Sequence, residues 1–417
     1  MASSVITGQV VLPGGVLGDG AVVVDGPRIA WVGAADALPE AFRDAAFLRA
    51  PDGGFVLPGL VDLHCHGGGG ASFPDAVDAD EAMAAVHEHR RHGTTTMVAS
   101  LVTAAPEALL RQVRLLADLA EADEIAGIHL EGPFLSVARC GAQDPALVVP
   151  PDPALTAELL RAGRGHVRTM TLAPEGAGVL DDDGVAARLV AGGALLSWGH
   201  TDADPATAAR ALAVSRRLLG DPRAGGRRPT VTHLFNGMRP WTHRDPGPVG
   251  EFLVAAREGG AVLELVGDGT HVDPAVVREV VALVGRDGVA LVTDAMAAAG
   301  MPDGSFRLGS LDVVVAEGVA RLARGGTIAG GTAHLLDVVR TTVAGGVALA
   351  DAVHMASAVP AAVLGLTDRG VLVPGARADV VVLDAHLRPM EVIIAGRHLP
   401  AASPRVPPPS TGARGAH

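Results

Sequence analysis

The stretch LPGLVDLHCHGGGG, residues 57–70, sets two histidines two residues apart within an apolar run. On a β-strand, residues i and i+2 point to the same face, so His64 and His66 can reach one metal ion together. A His-x-His pair is weak by itself in a chain with 16 histidines, and the pattern around it carries the weight. Farther along come GIHLEGPF with Glu131, LLSWGHTDA with His200, VTHLFNGM with His233, GDGTH with His271 and ALVTDAM with Asp294. Each polar residue follows a short run rich in Val, Leu, Ile or Thr, as where a strand ends and opens into a loop. A core histidine or a helix-capping aspartate explains any one of them, but not six in succession. Separated by helix-like stretches, they describe a barrel whose strand ends converge on one site.

Eight candidate buried strands fit that description: VDLHCH, TTTMVASLV, IAGIHLEG, VRTMTLAPE, ALLSWGHT, TVTHLFN, AVLELVGDGTH and VALVTDA. Between them lie Ala- and Leu-rich stretches such as DEAMAAVHEHRRHG, PEALLRQVRLLADLAEAD, PATAARALAVSRRLL and DPAVVREVVALVGRDG. The expected fold is α/β, a (β/α)8 TIM barrel with its active site at the C-terminal ends of the strands. The Val-rich runs GQVVLPGG, GAVVVDGPRIAWVG and FLRAPDGGFV near the start resemble ADVVVLDAHLRPMEVIIAGR near the end. Neither piece can bury a core alone, so both chain ends are expected to pair into one small β domain. The boundaries follow as 1–57 plus 373–400 for that domain, 58–372 for the barrel and a disordered tail over 401–417. SFRLGSLDVVVAEGVARLARGG reads as an inserted hairpin, followed by helices near 334–345 and 350–363.

Composition narrows the chemistry. With 417 residues, 48% of them apolar, the chain can bury a large core. A net charge of −13 argues against nucleic-acid binding, which needs a positive surface to displace counterions. All 33 basic residues are Arg, and Tyr is absent too. That excludes Schiff-base lysines, P-loop lysines and a carbamylated lysine between two metals, so a bridging ligand must be a carboxylate. No G-x-S-x-G elbow occurs, and no Lys-Ser/Thr follows the glycine run 67–70. Cys65 and Cys140 form no disulfide framework; Cys65 reads as a buried inert thiol, and Cys140 falls in the loop after Glu131. The N-terminus lacks a basic region ahead of an apolar core, and no stretch approaches the roughly 20 apolar residues of a membrane span. A soluble, cytoplasmic protein with no membrane partner is expected.

Glu131, His200 and His233 offer one carboxylate and two imidazoles, a set suited to Zn²⁺ or another borderline divalent ion with a position left open. His64, His66 and Asp294 can hold a second ion, with Glu131 bridging. Such an ion lets water ionise near neutral pH and attack a carbonyl carbon. Asp294, on the last strand, is the best-placed carboxylate to take the water proton and pass it to the leaving group. His129 shares a strand face with Glu131 and stands behind the site, whereas His87, His89 and His92 read as a solvated helix face.

The segments PGLVDLHCHG, GIHLEGPF, MTLAPE, GHTDA, THLFNGM, RDPG, DGTHVD, VTDAMAAAG and TIAGGTAHL stand in the order seen in N-acetylglucosamine-6-phosphate deacetylases of the amidohydrolase superfamily. This resemblance runs from about residue 5 to 397. It implies a barrel with a flanking β-sandwich, a homodimer, and hydrolysis of the N-acetyl amide of the sugar phosphate to glucosamine 6-phosphate and acetate. By carry-over, Glu131, His200 and His233 hold the main metal and Asp294 is the general acid/base. His64 and His66 favour a second ion, giving one or two ions per subunit, zinc or iron. Asn236, Gly237, His271 and Arg244 match positions that hold the substrate, Arg244 reaching into the neighbouring subunit's site; Arg239 ranks second for the phosphate. Gly331, Thr332 and Ala333 match a loop that closes near the acetyl group.

One position departs from the resemblance. Where the family places a histidine shortly after EGP, the chain reads CGAQDP, with Gln143. In relatives that histidine contacts the substrate and polarises the acetyl carbonyl; an amide still donates a hydrogen bond, without charge assistance. A slower enzyme or a shifted preference is therefore expected. The alternatives are a deacetylase of N-acetylgalactosamine 6-phosphate or another N-acyl amino sugar, or a non-catalytic barrel that binds sugar phosphates.

Overall fold

Eight parallel strands pair in chain order: Leu60–Cys65, Thr94–Leu101, Gly127–Glu131, Val167–Leu172, Leu195–Trp198, Thr230–Val231, Val262–Leu265 and Val289–Leu291. The structure is a computed structural model that describes residues 3–400; the expected tail over 401–417 lies outside the described residues. Each strand overlaps one of the eight apolar runs. Beyond the eighth strand the chain runs on beside the first: Asp294 N–H donates to the His64 carbonyl (2.9 Å) and His66 N–H to that of Ala295 (2.7 Å). These bonds close the barrel.

The strands are buried along nearly their whole length, as expected where helices cover the outside and side chains fill the inside. Three of the covering helices start with the same device. Asp152, Asp204 and Asp273 each accept N–H bonds from the first turn, and each is followed by Pro at a position whose N–H would be orphaned anyway. Helix Pro106–Glu121 buries Leu109, Gln112, Val113, Leu116 and Ala117, one stripe at helical spacing. The helix expected over 350–363 is two pieces, Leu349–Met355 and Ala358–Val363. Pro360 cannot donate to the carbonyl four residues back and clashes with it, so the helix breaks ahead of it.

The chain ends pair as expected, in a single eight-stranded sheet that joins strands from residues 4–58 to strands from 380–400. The sheet folds over its own core rather than forming two separate sheets: Ile29 near one edge and Ile393 near the other share one apolar cluster with Val22, Val56, Val380 and Val382. The alternate residues Val381 and Leu383 belong to the barrel's core instead, so a period of two divides the strand between two cores.

The expected hairpin is a three-stranded antiparallel meander: Gly304–Leu308, Leu311–Ala316 and Val319–Leu322. Its inner face, with Leu308, Val313, Val315 and Ala320, packs on Val102 and Met296 and covers the C-terminal end of the barrel. No helix among the described residues is long and apolar enough to cross a membrane.

Candidate active site

Six predicted ligands meet at the C-terminal end of the barrel. His200 Nε2 and His233 Nε2 lie 2.9 and 2.8 Å from Glu131 Oε1. His66 Nε2 lies 3.1 Å from Glu131 Oε2 and 3.3 Å from Asp294 Oδ1, and His64 Nε2 lies 3.4 Å from that same Asp294 oxygen. Glu131 joins the two groups, one of His64, His66 and Asp294, the other of His200 and His233.

The backbone is strained where these groups are presented. Among the described residues nine non-glycine positions have φ above zero, and His200 (46°), His233 (27°) and Asp294 (48°) are three of them, all just past a strand end. Such conformations are unfavourable for L residues and persist where the surroundings enforce them, commonly at functional sites.

The donor set fits metal ions. The Nε2 atoms of His64 and His66 are 3.1 Å apart, as are those of His200 and His233. Neutral imidazole lone pairs facing each other at that distance repel, and a shared cation removes the conflict. Behind three of the rings, Nδ1 has an oxygen acceptor: Glu264 Oε2 for His64 (3.3 Å), the Ser100 carbonyl for His66 (3.2 Å) and the Arg139 carbonyl for His200 (2.8 Å). Each acceptor fixes the tautomer that leaves Nε2 free, the usual arrangement behind a metal ligand. Two imidazoles on one ion have ring centres roughly 4.5–5.2 Å apart for metal–nitrogen bonds of about 2.0–2.1 Å. The His64–His66 and His200–His233 separations are 5.0 and 4.8 Å.

A third His/Glu group, Glu88, His92 and His334, fails the same test. Its two rings stack with centres 3.5 Å apart and planes at 10°. The expected solvated face therefore holds for His87 alone. His92 is stacked, and His89 is fully buried with Nε2 2.9 Å from the Gly67 carbonyl, because it shares the inward face of its helix with Ala82, Ala85 and Val86. Burial, with the charge of His334, pushes its pKa down to about 3, so it is neutral.

Charge is sharply partitioned around the ligands. Without an ion, protonation of the rings relieves the same conflict, and His64 and His66 charged in that way hold the Asp294 carboxyl below the ordinary range against its burial; with an ion bound, the ion supplies that positive charge. Burial also works against a charged His271, yet Asp268, 2.8 Å from its Nδ1, and the charge of Asp294 keep it above the ordinary imidazole range. His129, wedged between Ser100 Oγ (3.0 Å) and Thr171 Oγ1 (2.8 Å), is driven well down by burial and by His64. Burial pushes the Cys65 thiol well up, which keeps it inert.

A cavity of about 230 Å³ opens above the ligands, lined by His66, Glu131, Gln143, His200, His233, Asn236, Gly237, His271 and Asp294 among others. Two profiles described as "Amidohydrolase family" match residues 55–191 and 318–397. An N-acetylglucosamine-6-phosphate deacetylase from Lysinibacillus sphaericus is 34% identical over 354 residues, 83% of this chain and 85% of that protein. An N-acetylgalactosamine-6-phosphate deacetylase from Escherichia coli O157:H7 is 33% identical over 83% of this chain and 88% of its own length. A mutant N-acetyl-D-glucosamine-6-phosphate deacetylase from Mycobacterium smegmatis, solved with N-acetyl-D-glucosamine-6-phosphate, superposes with a TM-score of 0.86 at 43% identity, over 95% of this chain and 99% of that one. The chain belongs to the N-acetylglucosamine-6-phosphate deacetylase family of amidohydrolases.

The remaining positions carried over from the deacetylase family divide. Arg244 is exposed, on the loop with Trp241, and does not line the cavity. Arg239 is engaged by Asp202, 3.0 Å away, which it and Arg139 hold at a pKa of about 2. Gly331, Thr332 and Ala333 do not line the cavity. Gly331 is bonded through its N–H to the Asp294 carbonyl (2.6 Å), and Thr332 Oγ1 donates to Gly318. Thr327, Ile328 and Gly330 line it instead, with Leu308 from the meander. These apolar and small residues carry no chemical signal in sequence. Glu264 does: a carboxylate inside the apolar run AVLELV is the sequence signal of a buried partner.

Proposed function

We propose that the chain is a metal-dependent hydrolase that removes the acetyl group from N-acetyl-D-glucosamine 6-phosphate. The observation that carries the reading is the convergence of four imidazole Nε2 atoms on Glu131 and Asp294 at the floor of a cavity, in a chain of this family. Glu131, His200 and His233 would hold one divalent ion and His64, His66 and Asp294 a second, zinc or iron. Ions there supply Lewis acidity toward the scissile carbonyl and let water ionise near neutral pH. Asp294, kept ionised, takes the proton of the attacking water and hands it to the departing amine. His271, whose charged form is favoured by Asp268, together with Asn236 and Gly237, anchors the sugar phosphate. Arg244 of a second subunit completes that anchor in a homodimer, which accounts for its exposure and for the engagement of Arg239 elsewhere. Cys65 and Cys140 are free thiols, in keeping with a reducing cytoplasm.

A galacto substrate is the second reading, favoured by the 33% identity to an N-acetylgalactosamine-6-phosphate deacetylase. Acetate release by metal-replete protein decides between them, with both epimeric phosphates and unphosphorylated N-acetylglucosamine run side by side. Preference for the gluco phosphate is the expected result. Preference for the epimer would transfer the reading to it, and no acetate from any of the three would overturn the deacetylase.

A further inference from the structure

Glu264 stands in the seventh barrel strand, Val262–Leu265, and its side chain is only 4% exposed. A carboxylate there has lost its hydration, which costs several kcal/mol unless a partner offsets it. The partner is His64: Oε2 lies 3.3 Å from Nδ1. An ionised carboxylate can only accept, so the imidazole donates, and its other nitrogen is left with a lone pair. That nitrogen, Nε2, faces His66 Nε2 at 3.1 Å, Asp294 Oδ1 at 3.4 Å and Glu131 Oε1 at 3.7 Å. Among the four clustered imidazoles, His64 differs from the rest. His66 and His200 lean on neutral backbone carbonyls, and His233 Nδ1 is buried without a hydrogen-bond partner.

We infer that Glu264 is the positioning residue of the His64–His66 metal site. It fixes the His64 tautomer, locks the ring against rotation and, through its negative charge, makes Nε2 a stronger donor to the ion. Carboxylate–histidine–metal arrays act in this way, and losing the outer partner typically weakens metal affinity about 10–100-fold. The asymmetry assigns the effect to one ion: the Glu264 carboxylate bonds to His64, while only its backbone carbonyl, which accepts the Leu234 N–H (2.8 Å), approaches the His233 side, and substitution of the side chain leaves that bond in place. The inference rests on the proposed function only in taking His64 and His66 to bind an ion; it needs no substrate.

The test is therefore a metal titration without sugar. Wild type, Glu264→Gln and Glu264→Ala are stripped with a chelator and checked for unchanged circular dichroism. They are then titrated with Zn²⁺ against a chromophoric chelator and, separately, with Co²⁺ while its visible spectrum is recorded. Two ions per wild-type subunit are expected. In Glu264→Ala one of the two weakens about 10–100-fold and its Co²⁺ band changes, while the other ion is unaffected. Glu264→Gln, whose amide oxygen still accepts the Nδ1–H, lies between. Wild-type affinity and spectra in both variants, or in Glu264→Gln alone should the alanine variant not fold, overturn the assignment. So does a wild-type subunit that takes a single ion which Glu264→Ala holds equally well. Neither result touches the acetate-release test, so failure of this inference is separable from failure of the deacetylase reading.

Discussion

Asp294 combines a strained backbone (φ 48°), a carboxylate held ionised by two histidines, and contact with the cavity. Asparagine keeps its shape and removes its capacity to carry a proton, so Asp294→Asn should lower kcat about 10²–10⁴-fold with the fold intact by circular dichroism. Wild-type turnover in that variant sinks the acid/base role. Gly237 makes a different demand. Its φ is 60°, and a Cβ there would lie 2.7 Å from His200 Nδ1. Alanine must therefore displace a ligand ring as well as pay about 1–2 kcal/mol of backbone strain. Gly237→Ala should lose metal affinity and raise KM, and unchanged values of both in chelator competition and steady-state kinetics would refute the argument. At Gln143 the amide N–H donates to Glu131 Oε2 (2.6 Å) while its carbonyl accepts the Thr103 N–H (2.7 Å). The expected substrate contact is thus shared with the metal carboxylate. Gln143→His introduces a donor that can carry charge and should raise turnover roughly five- to tenfold or reorder the epimers. Steady-state kinetics that match the parent in both respects would remove Gln143 as the source of any difference.

At the scale of elements, the loop over residues 327–333 hangs between the meander and helix Leu335–Ala344, whose N-cap is His334. His334 Nε2 lies 3.1 Å from Glu88 Oε1 and Nδ1 3.2 Å from Asp337 Oδ2, so the helix start is tied to the first barrel helix. Burial disfavours the charged ring, but Asp337 and Glu88 outweigh it and raise the His334 pKa. The other groups facing it are His92 and His89, both lowered by burial and by the His334 charge, and Arg340, paired with Asp337. A folded pKa above the unfolded one makes the contribution complete below about 6.5, the ordinary imidazole value, and lost as pH rises through the raised value. The stability gap between wild type and His334→Gln should therefore be largest near pH 6 and shrink toward pH 9. Thermal melts across that range check it; a gap that widens with pH would reverse the sign. What the sequence conceals at this scale has a common cause. Six of the eight barrel strands are legible because each leads into a polar residue after an apolar run. The third strand of the meander, the walls Leu308 and Ile328, and buried His89 have no such punctuation, since contacts between distant segments decide their exposure.

For the whole molecule, the order of eight strands and both chain ends could be read from pattern alone. The side chain that looks outward could not be explained that way. Arg244 is exposed on the loop with Trp241, itself 55% exposed, in an acidic protein whose Arg239 is paired with Asp202. In a two-fold dimer the same loop on each subunit can serve the opposite site. Arg244→Ala should then raise KM for the phosphorylated sugar about 10–100-fold, the value of a charge-assisted contact, and leave the slow reaction of unphosphorylated N-acetylglucosamine unchanged. The geometry of sharing gives a stricter check. A mixed dimer of Arg244→Ala with Asp294→Asn contains one site that has its own Asp294 and borrows an intact Arg244, and a second that lacks both. Random exchange of equal amounts makes half the dimers mixed, so activity at low substrate should recover to about a quarter of wild type from two nearly silent parents. If Arg244 instead served its own subunit, every site in the mixture would lack one group or the other, and no recovery would accompany exchange.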